Sequence, residues 1–300
     1  MEILSPRDVP LGGPRAMTVR RTLPQRQRSL IGAWCFVDHY GPDDLAEAEP
    51  MVLPPHPHTG LSTVSWLFAG TIEHRDSAGH RATVSPGALN LMTAGRGISH
   101  SEYSTPDAAV LHGCQLWIAL PEHSRDTEPD FEHHRPEPVR GEGWTARVFI
   151  GALLGCTSPV RVHSPLVGAE LALEDGARLS LPVDPAHEHG FLVDRGRLLV
   201  DGGPVAANEL GYVGTGSSAL ALEAVGATRL MVIGGEPLGE EIVMWWNFIG
   251  RDHDDIAGYR ADWQRLLDGG SSERFTLPVD DPLPPLPAPA LPNARLRPRS

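Results

Sequence analysis

One residue in five is glycine or proline: 32 glycines and 29 prolines stand in a chain of 300. Helix interiors tolerate neither well, because glycine loses backbone entropy there and proline removes a hydrogen bond and clashes with the preceding turn. No collagen period orders them. Such a density points to many short strands separated by turns, and it argues against a helical bundle. No heptad run supports a coiled coil. A hydrophobic share of 41% allows a sizeable core, which argues against wholesale disorder. The length suits one large β domain or two small ones.

Charge and cysteine content narrow the function classes. The chain carries 25 basic and 38 acidic side chains, a formal −13 at pH 7, and every basic residue is arginine. The arginines are scattered, apart from small clusters at Arg20–Arg21 and 295–299. Such a chain lacks the broad basic face of a direct nucleic-acid binder. Cys35, Cys114 and Cys156 lie far apart and form no CxxC, so neither a disulfide framework nor a thiolate zinc site is expected. The first residues, MEILSPRDVP, do not resemble a secretory signal, and no stretch is apolar enough to span a membrane. The expectation is a cytoplasmic monomer.

Two series of strands are predicted. The first runs through 61–68, a hairpin 71–75/80–84 turning at 77–79, then 89–93, 98–103 and 111–120. A polar, proline-rich connection follows over 121–143. The second series covers 146–150, 159–164, 168–173, 177–181, 190–195, 197–200, 210–213, 218–224 and 230–233. Two similar blocks suggest a duplicated barrel. The one clear helix spans 252–268, with Ile256, Tyr259, Trp263, Leu266 and Leu267 on one face, a cap at Asp252 or Asp254, and a stop at Gly269-Gly270. From Ser271 onward the proline density suggests an extended, mostly disordered tail.

Two polar clusters carry the chemistry. In PPHPHTG, His56 and His58 are separated by one residue; in GISHSE, so are His100 and Glu102. Residues i and i+2 of an extended chain share a face, so these are two same-face ligand pairs. The intervening hairpin lets two strands of one barrel bring the pairs together. Three imidazoles and a carboxylate suit iron, manganese, nickel, cobalt, copper or zinc, and not calcium or magnesium. Four protein ligands on a six-coordinate metal leave two positions open for substrate or dioxygen. Against this stands the common case of HxH on a solvated loop.

These motifs resemble those of the pirin family, within the cupin superfamily. PPHPHTGLSTVSWLFAGTIEHRDSAG (54–79), GRGISHSE (95–102), LHGCQLWIALP (111–121) and the stretch 234–264 are each similar to pirin segments, and the likeness covers about residues 1–268. The resemblance implies an all-β protein of two cupin (double-stranded β-helix, jelly-roll) barrels with a C-terminal helix. It implies a metal-binding barrel over 1–135, a metal-free barrel over 136–240, an arm and helix over 241–268 and a disordered tail over 269–300. It carries the metal-ligand role onto His56, His58, His100 and Glu102. An ordinary cupin places its glutamate four or five residues after the second histidine, where Ser62 and Thr63 stand here; the glutamate after the third histidine is the pirin arrangement.

The resemblance also implies activity. Some pirins act as quercetin 2,3-dioxygenases, so the expected reaction is ring cleavage of a flavonol-like substrate with O2 and Fe(II), other divalent transition metals being alternatives. Glu102 is then the candidate base for the 3-hydroxyl proton. The alternative is an iron-binding co-regulator acting through a protein partner, its metal structural or redox-sensing. A third reading is a metal-bound scaffold whose natural substrate is not a flavonol. Weaker candidates complete the sequence. His187 and His189 sit where a second-barrel HxH would fall but lack later partners, and are read as vestigial or surface groups. Asp38 or His39 could support the site from behind its ligands or stand at the pocket entrance, the alternative being a structural turn. Glu73-His74 is expected exposed, Trp245 and Trp246 are expected as packing residues, and Cys114 as a buried strand residue.

Overall fold

The computed structural model describes residues 1–11 and 17–300. It is 51% strand and 6% helix, so the all-β expectation holds. The first barrel has two antiparallel sheets. The larger runs Asp130–His134, Leu89–Thr93, Leu61–Ala69, Val110–Ala119, Trp34–Asp44, Thr18–Leu23 and Arg7–Pro10. The smaller runs Val52–His58, Ile98–Ser104, Ile72–Asp76 and Arg81–Val84. Tyr40, Leu67 and Leu111 of the first pack against Leu53, Ile72 and Val84 of the second. Inward apolar residues from both sheets thus form the core, as the strand period requires.

The second barrel is one wound sheet ordered Glu2–Leu4, Leu210–Val213, Glu188–Val200, Ala219–Gly235, Leu166–Leu173, Trp144–Ile150 and Val139–Gly141. The expected strands 190–195 and 197–200 are one strand, as are 218–224 and 230–233. Register shifts around Val193, Arg195 and Arg197 bend the first rather than end it. The strand expected at 159–164 is absent, its ends set by Pro159 and Pro165. The connection 121–143 holds two edge strands, one closing each barrel: Asp130–His134 on the first and Val139–Gly141 on the second. The chain's own start crosses over, since Glu2–Leu4 pairs with Leu210–Val213 of the second barrel.

A shared apolar seam joins the barrels. Trp34, Trp66 and Leu116 of one form a single cluster with Phe149, Met231 and Ile233 of the other. Trp66 stacks on Phe149 at 4.6 Å between ring centroids, and the indole N–H of Trp34 donates to the Gly234 carbonyl at 3.1 Å. A buried ionic knot sits beside it. Asp194 of the second barrel accepts from His39 Nε2 at 2.8 Å and from His112 Nε2, both on the first. Arg229 donates to its other oxygen at 2.7 Å. Burial alone would raise the Asp194 carboxyl; the hydrogen bonds from His112 and His39 outweigh it and hold the group well below the carboxylate range.

The helix is His253–Leu267, capped by Asp252, whose carboxylate accepts the N–H groups of Asp254 and Asp255 at 2.8 and 2.9 Å. Ile256, Tyr259 and Trp263 form its buried face, while Leu266 and Leu267 lie at the rim. The tail corrects the expectation of disorder. It forms no named strand or helix, yet Phe275 and Ala288 are buried and Phe275 packs edge-on to Trp263 at 5.6 Å. Proline density forbids a hydrogen-bonded ladder, but an apolar ring without an N–H can be buried without one.

Candidate metal centre

His56 and His58 end the Val52–His58 strand, and His100 and Glu102 lie on Ile98–Ser104, its antiparallel partner. His100 stands directly opposite His56. An irregularity in pairing between His100 and Glu102 then shifts the register, so Glu102 faces Leu53 on one side and His74 on the other. Gly60 makes the close turn that follows His58: its φ is +66°, and a Cβ there would meet the Ile249 carbonyl oxygen at 2.3 Å. Pro54, Pro55 and Pro57 are tolerated because this strand is the sheet's edge.

The three imidazoles share one orientation problem and solve it alike. His56 donates Nδ1–H to the Pro54 carbonyl at 2.9 Å, and His58 donates Nδ1–H to the Asn247 carbonyl at 3.1 Å. Each carbonyl can only accept, so both Nε2 atoms are bare. His100 Nδ1 lies 3.4 Å from His74 Nδ1, and His74 Nε2 lies 3.3 Å from Asp76 Oδ2. With His74 donating to Asp76, its Nδ1 accepts from His100, leaving His100 Nε2 bare as well. The bare Nε2 atoms of His58 and His100 then face each other at 3.1 Å with no proton between them. Two lone pairs this close repel unless a cation lies between them, and 3.1 Å suits neighbouring ligands with metal–nitrogen bonds of about 2.1 Å. The residues present therefore fit a transition metal. Burial pulls His56 down to about 4 and His58 and His100 well below the histidine range, so all three offer lone pairs at neutral pH.

The ligand atoms of His56, His58 and His100 lie within 4.8 Å of one another. Glu102 lines the same cavity, but its carboxylate forms its close group with His100 and His74. Burial raises the Glu102 carboxyl, while the neighbouring His74 and a hydrogen bond from Ser65 lower it less. Ser65 Oγ lies 3.0 Å from Glu102 Oε1 and 3.0 Å from Gln115 Oε1, so its single proton serves one of them at a time.

The cavity above these groups measures about 510 Å³. Phe36 and Trp117 form one wall, stacked at 4.1 Å, with Arg21 over the Phe36 face at 4.2 Å. Several expectations change here. His74 is buried, not exposed: Ile72, His74 and Asp76 alternate inward along their strand while Glu73 and Arg75 face out. Asp38 and His39 belong to the long strand Trp34–Asp44, not to a turn, and Asp38 does support the pocket from behind its lining. Asp38 holds Arg21 in place through two 2.7 Å hydrogen bonds, and His39 turns to the other barrel. Trp246 packs edge-on to Phe248 and also lines the cavity. Cys114 is buried in its strand as expected. Leu286 and Pro287 of the tail form part of the wall.

The remaining histidine clusters differ in kind. His187 and His189 border a separate depression in the second barrel, ring centroids 6.1 Å apart, and form no metal-sized group with a third ligand among the described residues. His187→Ala is expected to leave metal stoichiometry unchanged by elemental analysis; a lost equivalent would put a second ion there. His39, His112 and Asp194 are close enough to hold an ion. Yet Arg229 already bonds both Asp194 and, at 3.3 Å, His112 Nδ1, so that group is a closed hydrogen-bonded knot.

The comparisons bear on both barrels. The Pirin family matches residues 16–118, and the Pirin C-terminal cupin domain matches residues 168–267. A Pseudomonas aeruginosa protein named "Putative quercetin 2,3-dioxygenase" is 44% identical over 265 residues, covering 88% of this chain and 84% of its own. A pirin-like protein of Caulobacter vibrioides is 35% identical, covering 87% and 94%. A crystal structure of quercetin 2,3-dioxygenase from Acinetobacter baumannii superposes with a TM-score of 0.91 at 37% identity, covering 98% of this chain and 96% of that one. Matched over both halves and close to such relatives along most of its length, the chain belongs to the pirin family.

Proposed function

We propose that this protein is a metal-dependent dioxygenase that opens the ring of a flavonol-like substrate, with Fe(II) as the first candidate metal. One observation carries the reading: bare imidazole nitrogens converge at the foot of a cavity with a stacked aromatic wall. The names of the Pseudomonas and Acinetobacter relatives support the substrate class. His56, His58 and His100 would hold the metal, with Glu102 as the fourth donor or its neighbour. A bound divalent metal would supply Lewis-acid polarisation of a substrate hydroxyl and a route for electrons to dioxygen.

The chain's residues supply the rest. Trp117 and Trp246 offer flat apolar surface to a planar ligand, and Phe36, sandwiched between Arg21 and Trp117, backs the first of them. Glu102 takes the proton of the ligand hydroxyl: burial has raised its carboxyl, which makes it a stronger base, and Ser65 fixes its orientation. Gln115 shares that Ser65 contact and can accept from or donate to a second ligand oxygen.

The test is anaerobic loading with Fe(II), followed by quercetin in air. Loss of flavonol absorbance above a protein-free iron control is expected. Glu102→Gln should slow that loss by about 100-fold or more, the usual range for removing a general base. No loss above the control would remove flavonol cleavage and favour the co-regulator reading.

A further inference from the structure

The tail crosses the metal strands from outside. Ser99, Ser101 and Tyr103 alternate with His100 and Glu102, so they occupy the opposite face of the same strand. All three bind the tail. Ser99 Oγ donates to the Thr276 carbonyl at 2.5 Å, and the hydroxyls of Ser101 and Tyr103 donate to the Asp281 carboxylate. Five residues later the tail reaches the other metal strand. Leu286 N–H donates to the Pro55 carbonyl at 2.8 Å, one residue before His56. The indole N–H of Trp263 donates to the Leu286 carbonyl at 2.8 Å, tying this point to the C-terminal helix. Both backbone polar groups of Leu286 are thereby fixed, and its side chain and Pro287 border the metal cavity.

We propose that Leu286 and Pro287 are specificity-determining residues: the tail is a fixed strap whose apolar corner sets the width of ligand that reaches the metal. The inference rests on the cavity being the ligand site, not on the ligand being a flavonol. The placement favours a strap over a loose flap. Asp281 anchors it before the corner, Trp263 and Pro55 hold the corner itself, and Arg260 donates to the Pro289 carbonyl at 2.5 Å beyond it. Proline at 282, 284, 285 and 287 stiffens the segment between the anchors and leaves few N–H groups in need of partners. An edge strand with prolines at 54, 55 and 57 offers carbonyls outward, which is what the Leu286 N–H takes up.

The experiment compares three metal-loaded proteins: the full chain, Leu286→Ala, and a truncation after Asp281 that keeps the Ser101 and Tyr103 anchor. The first probe is the planar chelator pyridylazoresorcinol, whose stripping of the metal is followed by its colour. Stripping is expected to quicken about tenfold in Leu286→Ala and more in the truncation, with equilibrium metal affinity within about threefold of the full chain. The second probe is a pair of flavonols, quercetin and its 7-O-glucoside, bound without oxygen and followed by tryptophan fluorescence. The variants should gain on the wider ligand by about tenfold relative to quercetin. If neither flavonol binds any of the proteins, the flavonol reading fails and the chelator decides the strap. Stripping rates within twofold at equal metal loading overturn the proposal. So does a metal affinity lost together with the tail, because the tail would then brace the strands without gating access. Should the truncation fail to fold, Leu286→Ala and Trp263→Phe, which frees the Leu286 carbonyl, carry the same comparison.

Discussion

His56→Ala and His100→Ala should each weaken metal binding by far more than 100-fold. That bound follows because removing a partner behind a ligand already costs about 10–100-fold, and these changes remove the ligand itself. The two positions are not equivalent. His56 is oriented by a local carbonyl two residues back, whereas His100 is oriented through His74 and Asp76 on a neighbouring strand. His74→Leu should therefore fall between the full chain and His100→Ala, weakening binding by about 10–100-fold while leaving all three ligands in place. Elemental analysis and a competitive chelator titration measure both. Stoichiometric metal retained in both alanine variants would place the centre elsewhere.

Asp194→Ala should cost about 3–5 kcal/mol, the usual penalty for leaving a buried charge without its partner. The side chain is 1% exposed and is the acceptor for His39, His112 and Arg229 at once. Its loss strands the Arg229 guanidinium against the Phe68 ring and leaves two imidazole N–H groups unpaired at the seam. Thermal unfolding should shift downward by about 5–8 °C for a chain of this size. The double variant Asp194→Ala/Arg229→Met should recover part of that loss, because the orphaned charge goes too. A melting temperature within about 2 °C of the parent would mean the ionic knot adds little to the joint between the barrels.

That the two polar pairs each share one face was legible because a strand repeats every two residues and both pairs obey that period. His74 and Asp76 obey it as well, yet Glu73 and Arg75 between them are also charged. With both faces polar, nothing in the sequence says which points inward; only the pairing of Glu102 with His74 across the sheet decides it. The barrels were legible from turn residues, but their strands were over-divided where a charged or glycine-containing bend such as Asp194–Gly196 marks a shift of register rather than an end. The edge strand Asp130–His134 was hidden by its own polarity, which suits a strand with one open side. Proline in the tail correctly excluded a ladder and said nothing about packing, which depends on Trp263, Ser99 and Pro55, all remote in sequence.

The strand Glu2–Leu4 is synthesised long before it can be placed. Glu2–Leu4 finds its partner only when Leu210–Val213 has emerged, some two hundred residues later. Until then the nascent chain carries this short strand unpaired, ahead of a barrel it does not belong to. The second barrel, expressed alone, would in turn present a bare sheet edge along Leu210–Val213, an open template for self-association. The two halves are therefore poor units for separate production.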